Sequence, residues 1–162
     1  MNTSAKAFPA VGLIGLGAMG LGMANSLRRA GVKLHVFDIR PEVATAFAEQ
    51  GGIACSSLTE LAKSCHVVIS VVVNAEQTDS ILFGPQGCAK ALLPGSIFIM
   101  CSTVDPNWSI NTEKKLAELG ILYLDAPISG GAARAAKGEI TMMISGKPTA
   151  WAIATPRVGA RA

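Results

Sequence analysis

Gly15-Leu16-Gly17-Ala18-Met19-Gly20 has the spacing G-x-G-x-x-G and follows an apolar run from Ala10. At a strand-to-helix junction that spacing suits a diphosphate. The first glycine allows a tight turn, the second lets backbone approach the ligand, and the third lets the helix sit against the sheet. Amides at the helix start lack intrahelical partners, and the helix dipole adds partial positive charge there. Asp38 closes the next apolar run, Lys33 to Phe37, where a dinucleotide-binding unit needs an acid for the ribose hydroxyls. Arg40 is the competing signal. It can pair with the 2′-phosphate of NADP, but the neighbouring Asp38 carboxylate repels that phosphate, so NAD is the expected cofactor and NADP stays open.

Further along, polar groups stand where apolar runs end. Val73 and Asn74 follow a β-branched run from Val67, and Asn74 is equally suited to border a cleft or to cap the next helix. Thr103 offers a hydroxyl to a ribose or nicotinamide, or caps a helix for which Asp105-Pro106 is the other start. Ser129-Gly130-Gly131 presents a hydroxyl and two unshielded amides, which suit a carboxylate oxygen and equally a structural turn.

Positioning these groups takes alternating strands and helices. Ala10 to Leu16, Lys33 to Asp38, Val67 to Val73, Ser96 to Cys101, Ile121 to Asp125 and Ile140 to Ile144 read as strands. Leu21 to Ala30, closed by Gly31, reads as a helix, as do the segments from Pro41, from Ser57 with Glu60 three residues on, from Thr78, and from Asp105 to Leu119. This alternation is the pattern of an α/β doubly wound domain.

Composition narrows the class. In 162 residues, 50% are hydrophobic and 15% charged, a globular profile that excludes disorder. A net charge of +3, with scattered Lys and Arg and only one Tyr and two Trp, implies no nucleic-acid partner. The residues up to Ala24 superficially resemble a signal peptide. Their weak basic character, the glycines that would weaken a signal helix, and the strand and acid that follow argue against it. No apolar run reaches the length of a membrane span. Cys55, Cys65, Cys88 and Cys101 form no C-x-x-C pair and have no metal-ligand spacing with histidine, so they read as buried thiols, no metal is expected, and the compartment is expected to be the cytoplasm.

Taken together, Gly15 to Gly20, Ser102-Thr103-Val104, Asp125 to Gly131 and Ala136 to Met143 resemble the nucleotide-binding half of the β-hydroxyacid dehydrogenases over nearly everything from Val11 to Gly146. Within that family, Val72 to Ala75 and Ile81 to Gly84 are most similar to the L-threonate dehydrogenase branch. Hydroxyisobutyrate dehydrogenases and tartronate semialdehyde reductases come next in kind. The resemblance implies a Rossmann-type, mostly parallel sheet and hydride transfer between a nicotinamide and the hydroxyl-bearing carbon of a small 3-hydroxy acid. It implies that Gly15, Leu16, Gly17, Ala18, Met19 and Gly20 hold the pyrophosphate and Asp38 the adenosine ribose. Val73, Asn74 and Thr103 would face the nicotinamide, and Ser129, Gly130 and Gly131 the substrate carboxylate. The family's catalytic lysine belongs to a long helix of an all-helical second domain and would fall beyond Ala162. Lys137 and Lys147 do not occupy its motif, so no catalytic residue is assigned.

The expected organisation is a tail over 1–9, the dinucleotide-binding domain over 10–146, and a stub over 147–162 whose likeness to the family stops after Pro156, as in a truncated or frame-shifted chain. Such a product would bind a dinucleotide, hardly turn over, and self-associate through the face that the helical domain covers. A dinucleotide sensor without chemistry is the alternative, although a substrate shelf at Ser129 to Gly131 favours the enzyme lineage.

Overall fold

The computed structural model describes residues 10–155; the expected tail and the ending after Pro156 lie outside the described residues. Six parallel strands form the sheet: β1 (Val11–Ile14), β2 (Leu34–Phe37), β3 (Ile53–Ala54), β4 (Val67–Ser70), β5 (Ile97–Met100) and β6 (Leu122–Asp125). A short antiparallel strand, β9 (Ser145–Gly146), completes the spatial order β3-β2-β1-β4-β5-β6-β9. The strands run outward in both directions from β1, so the chain reverses its winding between β1 and β4. In a doubly wound sheet the crevice at that reversal, beyond the carboxyl ends of the strands, is where a ligand fits.

Alternation along each central strand builds two cores. Leu13, Ile69 and Ile99 point to one face, packed with Met23 and Leu27 of α1 (Ala18–Arg29) and Phe47 of α2 (Pro41–Ala48). Val68, Phe98 and Met100 point to the other, against Leu61 of α3 (Leu58–Ser64), Leu82 of α4 (Ala75–Phe83) and Leu116 of α5 (Pro106–Glu118). β1, β4 and β5 are buried at every position, as strands covered by helices on both faces must be.

Several boundaries differ from the sequence reading. α1 starts at Ala18, inside the glycine motif, and α4 at Ala75, because Gly17 and Asn74 are their N-caps. β4 ends at Ser70, and Val71 to Val73 leave the sheet over the crevice. Of the expected last strand, 140–144, only Thr141–Met142 is strand, and a separate short strand follows it at Ser145–Gly146. β8 (Thr141–Met142) pairs antiparallel with β7 (Ile128–Ser129), and β9 then pairs with β6. Between β7 and β8 stands an unexpected helix, α6 (Gly131–Lys137), and α7 (Pro148–Ala154) follows β9.

Packing of α6 explains a glycine outside the motif. A Cβ on Gly22 of α1 would lie 2.8 Å from the Ala136 nitrogen and 2.9 Å from the Ala135 Cβ, so glycine and alanine let the two helices approach closely. Arg29, at the end of α1, donates a hydrogen bond to the Ala136 carbonyl and ties the pair at its far end.

Candidate functional site

Gly15 turns the chain off β1 with φ +94°, and its N–H donates to the Phe37 carbonyl at 2.9 Å. The left-handed backbone needs glycine there, and an added Cβ would also collide with the Val71 carbonyl. At Gly20 an added Cβ would overlap the Gly15 carbonyl oxygen, so this glycine serves the packing of α1 on its own loop. Gly17 differs from both. Its backbone is extended, and no protein atom lies within 4 Å of where a Cβ would stand. The chain itself does not need glycine at this position, whereas a ligand approaching the backbone does. Leu16 is a core residue, with only 2% of its surface exposed.

No side chain caps the start of α1, and the first intrahelical bond runs from Leu21 N–H to the Gly17 carbonyl. By contrast α3, α4 and α5 are capped by Ser57, Asn74 and Asp105. The amides at 18–20 thus point their dipole toward the crevice, a ready anion site.

Asp38, 8% exposed, stands directly after β2. Its Oδ2 accepts the Leu16 N–H at 2.7 Å, while Oδ1 accepts the Arg40 N–H at 2.9 Å and Arg40 Nε at 3.0 Å. Burial pushes this carboxyl up, but the bonds from the Arg40 side chain, the Arg40 backbone and the Leu16 amide outweigh it and hold the group below the usual carboxylate range. The acid is therefore charged near neutrality.

Gly15, Gly17, Asp38, Val73 and Asn74 line one cleft of about 850 Å³. Leu58, Ile81, Pro85 and Ile39 add apolar surface to its lining. Ile39 and Val73 are 88% and 80% exposed, apolar surface facing a cleft long enough for a nucleotide. Asn74 does act as a cap: its Oδ1 accepts the Gln77 N–H at 2.9 Å, and Gln77 Oε1 accepts the Val73 N–H at 2.8 Å. This reciprocal box fixes the loop that borders the cleft. Asn-x-x-Gln before a helix is its sequence signal, and Gln77 was readable on that ground.

Thr103 is exposed between β5 and α5 and does not line this cleft; Asp105 caps α5 instead, its Oδ1 accepting the Asn107 N–H at 2.9 Å. Its neighbour Ser102 donates to the Val72 carbonyl at 2.6 Å, which brings the end of β5 alongside the loop after β4. Nothing in the residue pattern marked Ser102 over Thr103. Ser129 is exposed and pairs with Thr141, while Gly130 and Gly131 have φ +132° and +79°. The turn into α6 thus needs both glycines for backbone reasons alone.

Among the described residues, no group of three or more His, Cys, Asp or Glu is placed to hold a metal ion, and no helix is long and apolar enough to cross a membrane. All four cysteines are free and buried. Burial pushes the thiols of Cys55 and Cys88 up to about 11 and those of Cys65 and Cys101 up to about 12, so none is a thiolate nucleophile at neutral pH.

Residues 10–162 match the family model described as the NAD binding domain of 6-phosphogluconate dehydrogenase. Among curated proteins the chain is similar to the L-threonate dehydrogenase of Cupriavidus necator, with 53% identity over 144 residues, which is 89% of this chain and 48% of that protein. Among solved structures it is similar to a 3-hydroxyisobutyrate dehydrogenase from Salmonella typhimurium, with TM-score 0.89 and 36% identity over 94% of this chain and 53% of the other. It is also similar to Psf3, solved in complex with NADP+ and 2-OPP, with TM-score 0.89 and 26% identity over 94% and 53% of the two chains. The chain spans about half the length of the curated relatives it matches.

Proposed function

The chain belongs to the family of the NAD binding domain of 6-phosphogluconate dehydrogenase, and from that premise we propose that its cleft holds NAD, in preference to NADP, for hydride transfer at the hydroxyl-bearing carbon of a small 3-hydroxy acid, L-threonate first. The observation that carries this reading is the glycine loop. α1 starts without a side-chain cap directly after the cleft-lining Gly17, where a Cβ would meet no atom beyond its chain neighbours, and the charged Asp38 lines the same cleft. The residues fit a dinucleotide. Gly15 to Gly20 would take the diphosphate, Asp38 the adenosine ribose, Ile39 and Leu58 the adenine, and Val73 and Asn74 the nicotinamide side. The dinucleotide supplies the redox chemistry, while the protein orients it and the substrate.

The preference for NAD rests on charge, since an anionic Asp38 disfavours a 2′-phosphate. Ser129, Gly130 and Gly131 would receive the substrate carboxylate. L-Threonate is favoured by the 53% identity to a dehydrogenase of that name, with 3-hydroxyisobutyrate and tartronate semialdehyde as the alternative substrates. Neither Lys137 nor Lys147 is assigned the role of the family's general base, a group worth about 10²–10⁴-fold in rate. Exposed apolar residues such as Met143 and Trp151 offer a surface for self-association. Four buried free thiols fit the reducing cytoplasm.

Calorimetric titration of the purified chain with NAD and NADP tests the proposal. Saturable uptake with NAD the tighter is expected. Folded protein that takes up neither dinucleotide would refute it.

A further inference from the structure

We infer that Ser102 is a positioning residue of the cleft: its hydroxyl, without lining the cleft itself, pins the loop after β4 against the glycine turn and so holds the wall on which a nicotinamide ring rests. This rests on the reading that the cleft takes a nicotinamide dinucleotide with Val73 and Asn74 on its nicotinamide side.

The loop needs anchors from outside because it leaves the sheet. β4 ends at Ser70, and Val71, Val72 and Val73 belong to no strand or helix. A bond to a different part of the fold holds each of them. The Val71 N–H donates to the Ile14 carbonyl of β1 at 2.8 Å, and the Val73 N–H donates to Gln77 Oε1 of α4 at 2.8 Å. Between them the Val72 carbonyl accepts from Ser102 Oγ at 2.6 Å, across 30 positions of sequence. Ser102 is buried and stands just past the end of β5, so this bond ties the loop to the strand beside β4.

The place of the loop matters to the cleft, because Val71, Val72, Val73, Asn74 and Gln77 all line it. A Cβ on Gly15 would stand 3.2 Å from Val72 Cγ1, so the loop rests directly on the glycine turn. From this pinned backbone Val73 presents an exposed apolar side chain, a surface that a flat ring can cover. Ser102 acts on that surface only through the Val72 carbonyl. Val72 is partly buried, so water can serve its carbonyl once the hydroxyl is gone. Ser102→Ala therefore loosens the loop and leaves the fold standing.

The test compares the purified chain with Ser102→Ala and with Ser102→Thr, which keeps a hydroxyl on the same carbon. Amide hydrogen exchange is measured first, without dinucleotide, with Ile69 inside β4 as the reference for global opening. Relative to Ile69, exchange at Val73 is expected to quicken at least about tenfold in Ser102→Ala and to stay within about threefold of the parent chain in Ser102→Thr. Titration with NADH follows, read by the emission of its reduced nicotinamide ring, and ADP, which lacks that ring, is titrated by calorimetry. The parent chain and Ser102→Thr are expected to enhance the emission of bound NADH. Ser102→Ala is expected to lose that enhancement at saturation while its affinity for ADP stays within about threefold of the parent. Unchanged relative exchange at Val73 in Ser102→Ala overturns the anchor, as does a loop equally loosened by Ser102→Thr. Full enhancement in Ser102→Ala, or ADP weakened beyond that limit, overturns the link to the nicotinamide end. A folded parent chain that takes up neither NADH nor ADP overturns instead the reading of the cleft, and the exchange measurement then still decides the anchor.

Discussion

A methyl group added at Gly17 and one added at Gly20 meet opposite surroundings, although the two glycines belong to one loop. At Gly17 it enters open space beside the cleft; at Gly20 it overlaps the Gly15 carbonyl. Gly17 has extended backbone and caps α1, so alanine there loses a modest capping preference and gains from a less flexible unfolded chain. Gly17→Ala should leave stability within about 1 kcal/mol of the parent chain, because those terms oppose one another. The same methyl stands where backbone must approach a diphosphate, and NAD affinity should drop at least about tenfold. Gly20→Ala should reverse the pattern, losing about 1–3 kcal/mol of stability because the loop must shift to admit the side chain. Urea unfolding and calorimetric titration of both variants check this. If Gly17→Ala unfolds early and Gly20→Ala does not, the division of labour between the glycines is wrong.

At the scale of elements the α1–α6 contact matters most, and it was the least legible part of the chain. The glycine spacing, the strand before it and the acid after it are strong local signals, because turn geometry and β-branched runs are written into neighbouring residues. α6 has no such signal. Gly131-Ala132-Ala133-Arg134-Ala135-Ala136-Lys137 begins with a residue at positive φ and offers only alanines as an apolar stripe. It is a helix because Ala135 and Ala136 close against Gly22, a contact across the chain that no local window contains. The two short strands that replace the expected strand at 140–144 have the same origin: β8 pairs with β7 and β9, just beyond that segment, with β6. The cleft residues Gly15, Gly17, Asp38, Val73 and Asn74 were readable together, since all follow strand ends on one edge of the sheet. Thr103 was read by the same rule but stands apart from that cleft. Gly22→Val should therefore force α6 away from α1 and cost about 1–3 kcal/mol, read as a lower urea midpoint, despite valine's better helix propensity. An unchanged midpoint would mean that α6 is not held by this contact.

For the molecule as a whole, acidity should be the condition that loosens the edge of the sheet where Asp38 stands. Burial, then the nearby Lys33 charge, lowers the His35 pKa below its ordinary 6.5 despite the opposing pull of Glu60. The hydroxyl and backbone N–H of Ser56, each 2.7 Å from Glu60 Oε2, hold Glu60 below its ordinary 4.5. Asp38 likewise sits below 3.8, its burial outweighed by Arg40 and Leu16. For each group the folded value is the lower, so the folded state binds fewer protons than the unfolded chain. Each contribution is then complete above the unfolded pKa and is lost as pH falls through the folded one. All three act in the same direction. Stability should begin to fall below about pH 6.5 as His35 becomes protonated, and fall again below about pH 4.5 as Glu60 and Asp38 follow. Urea midpoints taken between about pH 8 and pH 3 check the shape, with His35→Gln flattening the upper part and Asp38→Asn the lower. A midpoint that rises as pH drops from about 7 to about 5 would contradict the His35 assignment, because a histidine stabilised by protonation has its folded pKa raised. As the carboxylate that accepts the Leu16 N–H becomes protonated, NAD affinity should decline over the same lower range, joining the acid limb of stability to the acid limb of binding.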